Sequence, residues 1–484
     1  MTPSDKESTY HEPARDVPVA GAWDVIVVGG SQSGVAAAVC AARLGAKVLL
    51  VERNCFLGGQ SITSLVLQWE KSAYVNSKGY LVTDGIAREM LDRITRNGTS
   101  DKLWDDPPLV RYSDGDEWLD SEAIKIVLLE MCIEAGVELL FDSLVIDVMT
   151  AGTSAMPRVT GVIVQNRSGL QALKSEIVVD ASAYLDVVNF ATGGNGVIVE
   201  AVDKRMAPGW FTEFRGIDSR AFIEHLIASK DCNGYPDIKD AAKVREHLET
   251  GRLMIYHGFG RYLDKASDAG LLDAWPERME LPFRLTVKSW NRGVIKDRWC
   301  MVLDRGTKDA IDAWALSRSD IDRQRVDWIL LSVFRQVPGW ENAYISRTST
   351  RLGLRDTRRL KAVTMETRDS VFNPDFGRHD AIGLSDGHDT GRNRLDRPYP
   401  IPYGVLVPEK LDGVLCASRA VGVADHTALD AHRGLTVTIV VGQAAGTAAA
   451  LAVKGGVRPR DLDVQKLRDS LRKNGVVLET KKIV

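Results

Sequence analysis

The sequence predicts an α/β protein, in which helices pack on a parallel sheet and a region of α+β character is inserted. Residues 23–53, WDVIVVGGSQSGVAAAVCAARLGAKVLLVER, are typical of a βαβ unit: strand, glycine turn, helix, second strand. Residues 435–453 carry no charge and are rich in Ala, Gly and Thr, which favours a buried helix over a membrane-spanning one. Residues 205–345 show no βαβ pattern and contain seven of the eleven tryptophans. This enrichment indicates either aromatic core packing or a pocket.

Composition narrows the classes of protein to consider. With 62 basic and 65 acidic residues, the formal charge of −3 gives no general attraction to nucleic acid or anionic lipid. Six scattered cysteines without a CxxC motif disfavour a zinc ribbon, an iron–sulfur cluster or a dithiol redox pair, so we expect no metal site and a cytoplasmic location. Residues 1–21 are polar and are expected to form a flexible tail rather than a signal peptide.

The turn of the βαβ unit nearly matches a dinucleotide fingerprint. Gly29 and Gly34 occupy its first and third glycine positions, and Ser31 stands at the second. The helix N-terminus would offer unpaired N–H groups to a diphosphate. Glu52 ends the second strand, where a carboxylate accepts ribose hydroxyls and repels a 2′-phosphate, so NADP is disfavoured. The alternative is a βαβ unit that binds no nucleotide.

Two further features favour FAD over NAD. Gly58 and Gly59 form a second glycine turn just after Glu52, where the chain would have to pass close to the ribityl and ring portion of a flavin. Downstream, the segment from Gly442 to Gly446 is almost free of side chains. We expect it to be the start of a helix whose positive end lies at the flavin N1–C2=O edge.

At these motifs the chain resembles the FAD-dependent oxidoreductases of the glutathione-reductase-type fold that carry one FAD domain and one substrate domain. The resembling stretches are VVGGSQSGVAAAVCAARLGAKVLLVERNCFLGGQS, EAGVELLFDSLVIDV, GVIVQNRSGLQALKSEIVVDASAYLDVV, LGLRDTRR and the region from IPYGVLVP to GQAAGTAAALAV. The family usually has a glycine after the DAT-like triad, where this chain has Ala183 and Tyr184. The resemblance implies a Rossmann-like FAD-binding domain with an inserted α+β substrate domain.

The resemblance also implies which residues bind FAD. Near the two glycine turns, these are Gly29, Gly30, Ser31, Gln32, Ser33, Gly34, Glu52, Arg53, Gly58, Gly59, Gln60 and Ser61. Val145 would contact the adenine through its backbone, and Ala181 would lie by the pyrophosphate. Arg419, Gly442, Gln443 and Gly446 would hold the ribityl and ring end.

Histidines near the predicted flavin helix are candidates for proton transfer, because the imidazole pKa suits that role near neutral pH. His426 and His432, the latter followed by Arg433, are the main candidates, and His388 on a glycine-rich loop is a further one. The alternative is that either His426 or His432 only hydrogen-bonds backbone in a buried loop.

Five arginines lie between residues 347 and 359, and four of them recur at helical spacings. Arg355 or Arg359 is predicted to bind a substrate carboxylate, and part of the run could instead bind the FAD diphosphate. The alternative is a solvated or salt-bridged helix face.

These features predict an FAD-dependent oxidoreductase that passes hydride from a small organic substrate to flavin N5, with a histidine taking the proton. The FAD domain is expected to span residues 22–200 and 395–484, and the substrate domain residues 201–394. Alternatives are a flavin monooxygenase that uses an external reductant, and a non-catalytic or RNA-modification-associated flavoprotein. A homo-oligomer is compatible with the sequence, and neither nucleic acid nor membrane is expected as a partner.

Overall fold

The computed structural model describes residues 10–69, 74–76, 78–96, 117–250, 254–268, 270, 285–289, 299–303, 308–387 and 397–483. The helices in this part of the chain are α1 (Gln32–Arg43), α2 (Gln60–Thr63), α3 (Ile86–Arg96), α4 (Ser121–Ala135), α5 (Asp186–Thr192), α6 (Ser219–Ser229), α7 (Ala241–Thr250), α8 (Gly260–Asp268), α9 (Ala313–Phe334), α10 (Arg368–Phe372), α11 (His426–His432), α12 (Leu435–Gly455) and α13 (Val464–Lys473). The strands are β1 (Val19–Val28), β2 (Val48–Val51), β3 (Gln68–Trp69), β4 (Tyr80–Leu81), β5 (Glu117–Trp118), β6 (Glu138–Leu140), β7 (Leu144–Thr153), β8 (Met156–Asn166), β9 (Gly169–Asp180), β10 (Val197–Val199), β11 (Trp210–Arg215), β12 (Cys232–Tyr235), β13 (Ile255–Gly258), β14 (Leu285–Ser289), β15 (Trp299–Leu303), β16 (Tyr344–Thr348), β17 (Arg358–Leu360), β18 (Ala381–Ser385), β19 (Tyr399–Pro402), β20 (Val414–Cys416) and β21 (Lys481–Lys482).

The predicted βαβ unit is present and lies at the centre of the first sheet. Its strand order is β6-β2-β1-β9-β8-β7, and β20 also pairs with β9. Strands β1 and β2 are parallel, with Val25 opposite Val48, and the apolar ends of both strands are buried. Helices cover this sheet, which explains why its strands appear in the sequence as continuous apolar runs. The predicted α/β fold class is confirmed.

Helix α12 is a core helix of this first layer. It packs along α1, and a Cβ on Gly442 would lie 2.2 Å from the Ser33 carbonyl oxygen, while one on Gly446 would lie 2.0 Å from that of Ala37. Only glycine allows the two helix backbones to approach this closely. Among the described residues, α12 alone is long and apolar enough to cross a membrane, but 83% of its apolar window is buried inside the protein.

A second, antiparallel sheet has the strand order β12-β13-β14-β15-β11-β16 and its own core. The ring of Phe222 packs edge-on against Trp299 at 5.0 Å and against Trp340 at 5.5 Å between ring centroids. Trp210, Trp299 and Trp340 are fully buried, so these tryptophans fill the core, whereas Trp314 and Trp328 are exposed.

The inserted region ends earlier than the predicted residue 394. The second sheet ends with β16 at Thr348, and β17 then pairs with β10. Val371 of α10 and Ile382 of β18 belong to the same core as α1 and α12. The physical reason is that β18 packs directly on α12, where a Cβ on Gly383 would lie 2.2 Å from Cγ1 of Val440.

Candidate functional site

One cleft lies where the carboxyl ends of β1 and β2 meet the N-termini of α1 and α12. It encloses about 1150 Å³, including space open to solvent. Ser31, Gln32 and Ser33 line it at the start of α1, and Leu435 and Thr438 line it at the start of α12. The two helix N-termini therefore converge on one cleft, as the sequence led us to expect.

The first glycine turn is shaped by backbone contacts that exclude side chains. Gly29 has a φ of +105°, and a Cβ on Gly34 would lie 1.9 Å from the Gly29 carbonyl oxygen. The Ser31 hydroxyl caps α1 by accepting the Gly34 N–H at 3.4 Å. The N–H groups of Gln32 and Ser33 bond no residue that the structure describes, so the helix offers two donors to a ligand.

Glu52 supports this turn while it lines the cleft. Its carboxylate accepts the Gly30 N–H at 2.6 Å and the Asn54 N–H at 2.8 Å, and its side chain is buried. The Asn54 side-chain amide donates a third hydrogen bond to this carboxylate at 2.6 Å. A carboxylate has about four acceptor sites, so one site, on Oε2, remains for a ribose hydroxyl.

The second glycine turn packs directly on the first. Gly58 and Gly59 have φ values of +116° and +50°, and a Cβ on Gly59 would lie 2.8 Å from that of Ser31. The Gln32 amide donates to the Ser61 hydroxyl at 2.6 Å. Ser61 thus joins the two turns rather than lining the cleft.

The cleft brings together thirteen of the sequence-predicted residues. They are Gly29, Gly30, Ser31, Gln32, Ser33, Glu52, Arg53, Gly59, Gln60, Val145, Ala181, Arg419 and Arg433. Gly34 and Gly58 stand behind the lining and shape the turns that carry it.

The predicted start of the flavin helix is wrong by about two turns. Helix α12 begins at Leu435, after Gly434, and no side chain caps it. Gly442 and Gly446 face α1, and Gln443 accepts the Ile86 N–H and donates to the Asn474 carbonyl, so none of these three residues lines the cleft. The uncapped amides at Leu435 lie at the cleft instead.

The histidine predictions do not fit the cleft. His426 is exposed at the start of α11, and His432 is buried with both ring nitrogens unpaired and its ring 6.0 Å from that of Tyr399. Burial lowers the pKa of His432 to about 4, so its imidazole is neutral near pH 7. Neither residue lines the cleft, because α11 directs Arg433 there. His388 lies outside the described residues.

The arginine run does not form the helix that its spacing suggested. Residues 349–357 are irregular and lead into β17. Arg355 donates to the Ala207 carbonyl at 2.9 Å, and the buried Arg359 pairs with Asp356 at 3.0 Å, so neither lines the cleft. The side chains of both residues bind other parts of the protein, so the cleft does not support their substrate role, which stays a prediction.

Some cleft residues were missed or only partly anticipated. Arg351, in the same run, lines the cleft, as do Tyr184 and Asp186 after β9. The Arg53 guanidinium lies 5.4 Å from the centroid of the Tyr184 ring. Tyr184 could have been predicted as a cleft residue, because it follows β9 by a few positions, as Ala181 does. Parallel strands place the residues that follow them at one edge of the sheet.

Comparison with known proteins decides the family. The model of the FAD dependent oxidoreductase family matches residues 24–471, which is nearly the whole chain. The chain belongs to this family. FAD is its cofactor.

Solved structures resemble this FAD-dependent oxidoreductase only loosely. A geranylgeranyl bacteriochlorophyll reductase-like protein from Thermoplasma acidophilum is 12% identical, with a TM-score of 0.43, over 94% of this chain and 82% of that one. The flavin-dependent brominase Bmp2 is 13% identical, with a TM-score of 0.46, over 93% and 83%. The p-nitrophenol 4-monooxygenase PnpA from Pseudomonas putida DLL-E4 is 12% identical, with a TM-score of 0.46, over 93% and 84%. No curated protein sequence matches the chain.

The cleft residues fit FAD at both ends. The unpaired amides of α1 suit a diphosphate, and the uncapped start of α12 suits an electron-rich carbonyl edge. Arg419 donates to the carbonyls of Arg355 and Ala183, and burial lowers the pKa of its guanidinium. Arg433 lies directly before α12, and its Nε donates to Asp430 at 2.6 Å.

Proposed function

We propose that this FAD-dependent oxidoreductase oxidises a small anionic organic substrate, bound at the α12 end of the cleft, by accepting hydride from it. When bound, FAD supplies the two-electron acceptor, and negative charge develops at the N1–C2=O edge of its ring. The observation that supports this assignment is the uncapped N-terminus of α12 at the cleft, flanked by Arg433. A positive environment at that edge favours reduction of the cofactor by substrate.

Arg433 is the residue that we propose holds the anionic group of the substrate. It lines the cleft two residues before Leu435, and the buried Asp430 fixes its Nε. This contact orients the planar guanidinium, whose paired donors match a carboxylate.

Anaerobic reduction tests this function. The purified holoenzyme is mixed without oxygen with a panel of small carboxylic acids that carry an oxidisable C–H next to oxygen or nitrogen, and separately with NADPH. Bleaching of the oxidised-flavin absorbance by an acid, without NADPH, is expected. Bleaching by NADPH alone would refute the proposal and point to a monooxygenase that takes an external reductant.

A matched pair of variants tests Arg433. Arg433→Gln should raise the substrate concentration for half-maximal reduction on the order of 10- to 100-fold, because a charge-assisted bidentate contact is lost. Arg318→Gln removes the same charge from an exposed position on α9 and should change nothing. If Arg433→Gln needs the same substrate concentration as wild type for half-maximal reduction, Arg433 does not bind the substrate.

A further inference from the structure

Four arginines line the cleft, and the protein itself holds two of them. Arg419 donates to two backbone carbonyls, and Arg433 pairs with Asp430 at 2.6 Å. These two lie on the segments that lead to α12. Their positive charge therefore belongs to the flavin end of the cleft.

The other two cleft arginines, Arg53 and Arg351, have no hydrogen-bond acceptor within the part of the chain that the structure describes. Neither Arg53 nor Arg351 forms a side-chain hydrogen bond or ion pair with any residue that the structure describes. Arg53 contacts the Tyr184 ring. Burial raises the pKa of the nearby Asp186, and the charge of Arg53 partly offsets this rise. Both are partly buried. The pKa of Arg351 is lowered, first by burial and then by the positive charge of Arg53. Glu52 and Asp186 lie close enough to attract these guanidinium groups but pair directly with neither of them. Two like charges that repel each other without a direct ion pair among the described residues favour an anionic ligand between them.

Arg351 is held at this position by its backbone. Its N–H donates to the Thr63 carbonyl at 3.1 Å, and the Thr350 N–H donates to the same oxygen at 2.7 Å. Thr63 ends α2, directly after the second glycine turn, and it also lines the cleft. The residue thus faces the cleft beside the turn that packs on the start of α1.

The fold brings Arg53 and Arg351 together from segments that follow two different sheets. Arg53 directly follows Glu52 at the end of β2 in the first sheet, whereas Arg351 follows β16 of the second sheet by only a few residues. The unpaired N–H groups of Gln32 and Ser33 line the same cleft. Two unpaired positive charges and two unpaired amides match the two negative charges and the oxygens of a diphosphate.

We propose that Arg351, together with Arg53, binds the diphosphate of FAD against the N-terminus of α1, so that the segment that follows the second sheet takes part directly in cofactor binding. This assignment rests on FAD as the cofactor and is independent of the substrate proposed above. Arg351 is thus a cofactor-binding residue, whereas Arg433 is the substrate residue.

Cofactor affinity tests the assignment without any measurement of activity. FAD is removed from the full-length protein, and the apoprotein is titrated with FAD, ADP and riboflavin, with binding followed by flavin fluorescence or calorimetry. Arg351→Gln should weaken both FAD and ADP on the order of 10- to 100-fold. Riboflavin has no diphosphate, and its affinity should stay unchanged.

Two controls keep the test decisive. Arg318→Gln, the same substitution on the exposed face of α9, should keep wild-type affinity for all three ligands. If the apoprotein does not stay folded, the rate at which FAD leaves the diluted holoenzyme replaces the titration and should rise by the same factor. Unchanged FAD and ADP affinity in Arg351→Gln, or an equal loss of riboflavin affinity, would overturn the assignment.

Discussion

Replacing Gly446 with alanine should force the two buried helices of the FAD layer apart. The new Cβ would lie 2.0 Å from the Ala37 carbonyl oxygen of α1, and the nearest other atoms are also backbone. Backbone cannot rotate away as a flexible side chain can. Helix α12 would have to move by about 1.4 Å to reach an ordinary contact distance near 3.4 Å.

The cost follows from the packing that such a shift breaks. Overpacking a well-filled core typically costs 1–3 kcal/mol, and a gap of 0.5–1 Å already loses a quarter to a half of each dispersion contact along it. The facing alanines of both helices are completely buried, so the shift would weaken most of the contacts between α1 and α12. We therefore expect Gly446→Ala to lower the free energy of unfolding by about 3 kcal/mol.

Urea denaturation of the FAD-free protein measures this effect. Gly455→Ala, near the end of the same helix, is the matched control, because its new Cβ would meet only Val457 at 3.6 Å. That variant should keep wild-type stability or gain up to about 1 kcal/mol, since alanine favours helix. FAD affinity is measured in parallel on both variants.

The outcome separates packing from flavin contact as the reason for glycine at this position. If Gly446→Ala unfolds at the wild-type urea concentration and loses only FAD affinity, the residue serves the cofactor. The close helix contact would then not limit stability, and the reasoning above would fail.

Three more variants are expected to behave as follows. Glu52→Ala leaves the Gly30 N–H without its acceptor, so FAD affinity in a fluorescence titration should fall at least tenfold, and retained affinity would contradict this role. His432→Leu should become more stable than wild type by up to about 3 kcal/mol as pH falls from 6.5 to about 4. The reason is that His432 binds a proton in the unfolded chain at this pH but stays neutral when it is buried. A stability difference that does not change with pH in urea titrations would refute this. Arg359→Met leaves the buried Asp356 without its main partner, so the free energy of unfolding should fall by about 3 kcal/mol. The substrate concentration for half-maximal flavin reduction should stay unchanged. A higher concentration would support the predicted substrate role of Arg359.

The βαβ unit could be predicted because its determinants are local. Apolar runs at both strands and small residues in the turn and helix lie within residues 23–53, and the observed elements fall inside that range apart from the first residues of β1. Glu52 could be placed at the cleft for the same reason, since the end of β2 follows from the end of its apolar run.

The part of α12 that meets the cleft could not be predicted in this way. The uncharged run at 435–453 predicts a buried helix, and α12 does begin at Leu435. The segment from Gly442 to Gly446 is almost free of side chains, and for that reason it is expected at the flavin. In the structure these two glycines instead let α12 pack closely against the backbone of α1.

The arginine run shows where sequence reasoning stops. Arg351, Arg355 and Arg359 have the same side chain at a regular spacing, yet their partners differ. Arg351 lines the cleft without a side-chain hydrogen bond to any described residue, Arg355 donates to a distant carbonyl, and Arg359 joins a buried ion pair. The partner of each charge comes from a remote part of the chain, and the absence of a partner is equally a property of the fold. An arginine that binds a ligand can therefore be told from one that binds the protein only when all neighbouring acceptors are known, and on that basis we propose Arg351, rather than Arg355 or Arg359, as the ligand-binding member of the run.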